Sequence, residues 1–108
     1  MISITVYKHE DSYKRVKCLG HAGYADAGQD IVCASVSVLV INAINSIVKF
    51  TEDAVTIDTD EKSGLIDLTF TEDVSKESRL LLDSMLLGLN EIQNDYGKKY
   101  FSLVSMEV

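Results

Sequence analysis

The chain of 108 residues contains no proline. No low-complexity stretch or internal repeat breaks it either. With no composition shift to mark a linker, residues 1–108 read as one domain, long enough to bury a core of its own. Cysteine is scarce: Cys18 and Cys33 are the only two, in no C-x-x-C arrangement. That argues against a redox motif and against a compact zinc pattern. Positive charge is scarce as well. Ten Lys+Arg stand against seventeen Asp+Glu, a net charge of −7. The deficit lies in the second half: residues 1–50 carry five cationic and four anionic groups, residues 51–108 five and thirteen. So acidic a chain argues against direct nucleic-acid binding, which needs cations to displace counterions. It suits a basic partner or peptide, or simply keeps the protein soluble.

Two further absences bear on location. The start, Met1-Ile2-Ser3-Ile4-Thr5-Val6, alternates and lacks a basic segment, so no secretory signal is expected. The longest apolar stretch, Val36 to Ile41, is broken by Ser37 and followed by Asn42 and Asn45, so no membrane span is expected. The expected location is the cytoplasm, where both cysteines stay reduced.

What is present is a clear succession of elements. Residues Ile2 to His9 alternate apolar and polar, as a half-buried strand does, and Tyr13 to Leu19 reads as the return strand. A loop, Gly20 to Gln29, follows. A helix is predicted from about Asp30, a good N-cap, to about Phe50. It is apolar nearly all round, which predicts deep burial, including against a second subunit. Val55–Thr59 and Leu65–Thr71 form a predicted hairpin about Asp60-Glu61-Lys62-Ser63-Gly64. A second helix is predicted from a Ser75 cap to Tyr96, stopped by Gly97, with Lys98-Lys99 at its negative end. Phe101 to Val108 closes as a strand. The order β-β-α-β-β-α-β predicts an α+β two-layer fold, two helices on a largely antiparallel sheet.

The chemistry concentrates between residues 20 and 37. With Asp30 as cap, Cys33 falls in the first helical turn, where the helix dipole favours a thiolate. His21 stands twelve positions earlier. Gly20, Gly23 and Gly28 give the loop freedom to fold His21 back against Cys33. The pair then forms a Cys-His site, with imidazole activating the thiol and later returning the proton. Unpaired N–H groups at the helix start offer an oxyanion hole. Asp30 either caps the helix or orients His21, and Asp26 is a weaker orienter. Ser37 lies one turn beyond Cys33 on the same face, where it lines a pocket wall or bonds back to the preceding turn. Rival readings use Cys18, His21, Cys33 and His9 as four metal ligands, or Cys18 and Cys33 as a redox pair. Alternatively both cysteines are ordinary small core residues and His21 an ordinary loop histidine.

Gly20-His21-Ala22, Gly28, Asp30-Ile31-Val32-Cys33 and Ser37 together resemble the signature of the ribosomal-processing cysteine proteases, the Prp family. Chain length and element order fit over essentially the whole chain. The resemblance implies a cytosolic endopeptidase of Firmicutes and related bacteria. Such enzymes remove an N-terminal extension from a large-subunit ribosomal protein, cutting after a pair of phenylalanines. It implies Cys33 as nucleophile, His21 as base and acid, Asp30 and Ser37 as supporting or substrate-binding residues, no metal or other cofactor, and a homodimer. The alternative from another class is a non-catalytic dimeric module that binds a ribosomal or ribosome-assembly protein.

Overall fold

A computed structural model describes residues 2–20, 27–97 and 100–108, with residues 27–30 described in backbone alone. The elements are β1 (Ile2–His9), β2 (Ser12–Leu19), α1 (Ala27–Phe50), β3 (Val55–Asp60), β4 (Leu65–Phe70), α2 (Lys76–Tyr96) and β5 (Phe101–Glu107). They form a five-stranded sheet of order β3-β4-β2-β1-β5. All neighbouring pairs are antiparallel except β1 and β5, which run parallel. This is the expected α+β fold, in the expected element order.

Alternation builds the buried face of the sheet. Ile2, Ile4 and Val6 of β1 are buried, as are Leu68 and Phe70 of β4. In β2 the buried residues are Tyr13, Val16 and Cys18, a spacing that a regular strand cannot give. The β1–β2 register slips between Tyr7 and Lys8: Tyr7 pairs with Arg15 but Lys8 with Tyr13. The extra residue, Lys14, turns Tyr13 inward, as a bulge does. The Tyr13 hydroxyl then donates to Asp83 of α2, tying sheet to helix. Burial, together with that bond, pushes the Tyr13 hydroxyl well above its ordinary range.

Helix α1 supplies the other half of the core through Val32, Cys33, Val36, Val40, Ala43, Ile44 and Ile47. It packs beside α2, and the two approach so closely at Gly88 that a Cβ there would stand 2.9 Å from Leu39 Cδ1. The expectation that no segment is long and apolar enough to span a membrane does not hold for α1. Ile31–Phe50, 20 residues, passes by length and composition, its 18-residue window having a mean hydropathy of 2.2. The interrupting Ser and Asn lower the average, but the apolar residues around them keep it high enough. In this fold that apolarity serves the core, with 39% of the window buried inside the molecule.

Helix α2 begins and ends as its sequence predicts. Ser75 is the N-cap, its hydroxyl accepting the Ser78 N–H at 3.1 Å. Gly97, at φ +92°, is the C-cap and donates its N–H to the Gln93 carbonyl. Lys98 and Lys99, expected at its negative end, lie outside the described residues.

Candidate active site

Helix α1 starts at Ala27, one turn before the expected Asp30 cap. Asp30 is therefore its fourth residue, not its N-cap, and Cys33 its seventh, not its third. Gly28 reads as a loop residue, but a helical glycine costs only about 1 kcal/mol against alanine, which packing of the long apolar helix offsets. The unpaired N–H donors of a helix belong to its first turn, here residues 27–30. At 1.5 Å rise per residue they lie roughly 5 to 9 Å below Cys33 along the axis. The expectation of an oxyanion hole and a dipole-favoured thiol at the first turn is corrected accordingly. The Asp30 side chain and all of His21 and Asp26 lie outside what the structure describes.

Cys33 is fully buried, packed among the core residues of α1. Its Sγ faces the main-chain carbonyl of Tyr100 at 3.9 Å, the segment between α2 and β5. Ser37, one turn further, is half-buried and borders a cavity of about 410 Å³. Ser35, not Ser37, is the serine that bonds back, to the Ile31 carbonyl at 2.9 Å. Among the described residues Ser37 has no hydrogen-bond partner, so its hydroxyl is free for a ligand in the cavity.

The cavity lies between α1 and the β3–β4 hairpin. Cys18, Val40, Ile41, Leu65 and Ile66 give it apolar walls, and Gly20, Thr59, Asp60, Glu61 and Gly64 complete the lining. Burial pushes the Cys18 thiol up to about 11, so it is a neutral wall group near neutrality. Gly20, the residue before His21, is held at φ +113°, a conformation suited to glycine. Its N–H donates to the Ser63 carbonyl at 3.1 Å. The structure thus brings together three things: the strand end that leads to His21, the α1 residues Ser37, Val40 and Ile41, and the hairpin turn; Cys33, whose sulfur faces Tyr100, does not line this cavity. The turn residues carry no local signal of a site, because they reach it only through the pairing of β4 with β2.

The rival readings fare differently. Cys18 pairs across from Ile4, whereas His9 lies five residues further along β1 and meets the Val108 carbonyl at 2.7 Å. Five strand residues span about 17 Å, so Cys18 and His9 cannot share one metal ion. Cys18 and Cys33 are both free thiols, and both are buried.

Comparison with known proteins agrees with this architecture. Residues 1–101 match the family described as "Cysteine protease Prp". The ribosomal processing cysteine protease Prp of Bacillus subtilis is 32% identical over 101 residues, covering 89% of this chain and 90% of that protein. The Staphylococcus aureus counterpart is 30% identical over 79 residues, covering 73% of this chain and 74% of that protein. Among solved structures, the essential ribosomal processing protease Prp of S. aureus, in complex with a covalently linked product peptide, superposes with a TM-score of 0.83. It is 26% identical and covers 97% of this chain and 99% of that one. A Streptococcus mutans protein superposes at 0.85 with 26% identity, covering 100% of this chain and 96% of that one. The chain belongs to the cysteine protease Prp family and is a peptide hydrolase of the cysteine-protease class.

Proposed function

We propose that this protease removes the N-terminal extension of a large-subunit ribosomal protein in the cytoplasm, cutting after a pair of phenylalanines, with Cys33 as nucleophile and His21 as base and acid. The observation that carries this reading is the cavity itself. It opens beside Ser37, one turn from Cys33, and beside Gly20, the residue before His21. Its walls of Val40, Ile41, Leu65 and Ile66 suit an aromatic side chain, and its acidic rim of Asp60 and Glu61 suits a basic peptide. The covalently linked product peptide of the S. aureus relative supports a covalent route.

The chemistry is ordinary thiol acyl transfer. His21 takes the Cys33 thiol proton as the sulfur attacks the scissile carbonyl carbon and forms a C–S bond. The C–N bond breaks as His21 gives its proton to the leaving amine. Water then attacks the thioester, His21 takes the water's proton, and the acid product leaves the regenerated thiol. Asp30 and Ser37 support the site, Ser37 through its unpartnered hydroxyl. The homodimer belongs to the same proposal.

Mass spectrometry of a basic N-terminal ribosomal peptide containing Phe-Phe, incubated with wild type and with Cys33→Ala, tests this reading. Wild type cuts after the second phenylalanine, and the variant loses at least about a thousandfold in rate, as removal of a nucleophile does. Cleavage that persists in Cys33→Ala removes Cys33 from its role. No cleavage by either protein favours a module that binds such a peptide without cutting it.

A further inference from the structure

Strand β3 forms one edge of the sheet and is exposed along nearly its whole length. The tip of such a hairpin contributes little to the core, yet this one is closely organised. The Asp60 carboxylate accepts the Lys62 N–H at 3.2 Å through one oxygen and the Ser63 hydroxyl at 2.9 Å through the other. Gly64, at φ +68°, lets the chain turn back into β4. The carbonyl of Ser63 then accepts the Gly20 N–H. This last bond is not part of the β2–β4 ladder. Cys18 pairs with Ile66, so continuing the register would set Gly20 opposite Gly64. The bond runs instead one residue into the turn, so the turn, and not the strand, holds the end of β2.

We propose that the Asp60–Gly64 turn fixes the end of β2 at Gly20, the backbone from which the chain continues to His21. Asp60 sets the shape of the turn, and Ser63 anchors the residue from which the chain continues directly into His21. The same turn, through Asp60 and Gly64, walls the cavity that Ser37 borders, so one element fixes both the histidine's point of departure and the space the substrate enters. Asp60 and Ser63 are positioning residues, acting through the backbone at Gly20. The proposal rests on the Cys33–His21 dyad proposed above. A displacement near 1 Å of a catalytic group costs on the order of a hundredfold in rate, so a loosened turn is visible kinetically while the fold stands.

The test compares wild type with Asp60→Ala, Asp60→Asn, Ser63→Ala and His21→Ala. Two quantities are read: kcat and KM on the Phe-Phe peptide, and the iodoacetamide labelling rate of Cys33 at pH 6.5, resolved from Cys18 by peptide mass spectrometry. The expected result is that Asp60→Ala lowers kcat about tenfold or more with KM within about threefold. Its Cys33 labelling rate moves toward that of His21→Ala, while the melting temperature changes by only a few degrees. Asp60→Asn, which still accepts the Lys62 N–H and can hydrogen-bond the Ser63 hydroxyl, restores both quantities to within about threefold of wild type. Ser63→Ala falls between wild type and Asp60→Ala, and serves if Asp60→Ala does not fold. If Asp60→Asn is as impaired as Asp60→Ala, the carboxylate acts through its charge and the positioning role is wrong. If His21→Ala alters Cys33 labelling and neither turn variant does, the turn proposal fails alone. If His21→Ala leaves labelling at the wild-type rate, the dyad fails and takes the proposal with it.

Discussion

Ser37 sits where α1 meets the cavity, with a hydroxyl that no other described residue engages and a methylene on the same helix face as Cys33. A substrate hydrogen bond there contributes about 0.5–1.5 kcal/mol, a factor of roughly 2 to 12 in binding or rate. Ser37→Ala therefore lowers kcat/KM on the Phe-Phe peptide about fivefold and changes unfolding free energy by less than about 0.5 kcal/mol in a urea titration. Unchanged kinetics would reduce Ser37 to a lining residue. The pairing of Cys33 with Ser37 is legible in the sequence because a four-residue step is one helical turn. The participation of Cys18, Asp60 and Gly64 is not, since strand pairing alone carries those residues to the same cavity. The burial of Cys33 is among the readings its sequence offers, but the carbonyl its sulfur faces, 67 residues away in the chain, is not.

At the level of elements, the start of α2 is closely tied to the connection that precedes β3. Asp53, in the connection from α1 to β3, accepts the Ser75 N–H at 3.0 Å and the Ser75 hydroxyl at 2.8 Å. The buried Ser78 in turn gives its N–H to the Ser75 hydroxyl. Desolvation alone would raise the Asp53 carboxyl, but the hydrogen bonds from Ser78 and Ser75 outweigh it and hold the group below its ordinary value of 3.8. A carboxyl lowered by folding stabilises the native state above its ordinary value, and that contribution fades as pH falls through the lowered one. Asp53→Asn is thus less stable than wild type near neutrality, and the difference narrows below about pH 4. Ser75→Ala loses about 1 kcal/mol from the cap at all pH values, and a further part that fades below about pH 4 because its hydroxyl also helps hold the Asp53 carboxylate ionised. Denaturant titrations at several pH values check both, and a deficit in Asp53→Asn that stayed constant into acid would exclude the ionised form. This cap was legible because serine, an apolar stripe and a terminal glycine agree on one helix. The start of α1 was not, because Asp30 gives a strong local cap signal and the decision fell instead to packing further along the helix. The inward turn of Tyr13 was hidden for a similar reason: a bulge resets the two-residue period without any local mark in the sequence.

At the scale of the whole molecule, the outward side of α1 is unusual for a helix in contact with water. No charged residue occurs from Ile31 to Val48. Ile31, Val38, Ile41 and Val48 are nevertheless exposed, Val38 by 65%. Beside them an open apolar groove of about 570 Å³ runs between α1 and α2, lined by Val38, Leu39, Gly88 and Ile92 among others. Leu87 of α2 adds a further apolar group, 64% exposed. Uncharged apolar surface of this extent is what a subunit contact covers, and it supports the homodimer proposed above. Val38 lies on the side of α1 away from the buried Cys33, so a charge there tests association without entering the site. Val38→Glu places an unpaired carboxylate in the contact, at a cost of several kcal/mol per dimer. Light scattering across a hundredfold range of protein concentration then reads a dimer for wild type and a monomer for the variant, with the circular dichroism of the two unchanged. A wild type that runs as a monomer throughout, or a variant that remains dimeric, would place the contact elsewhere or remove it.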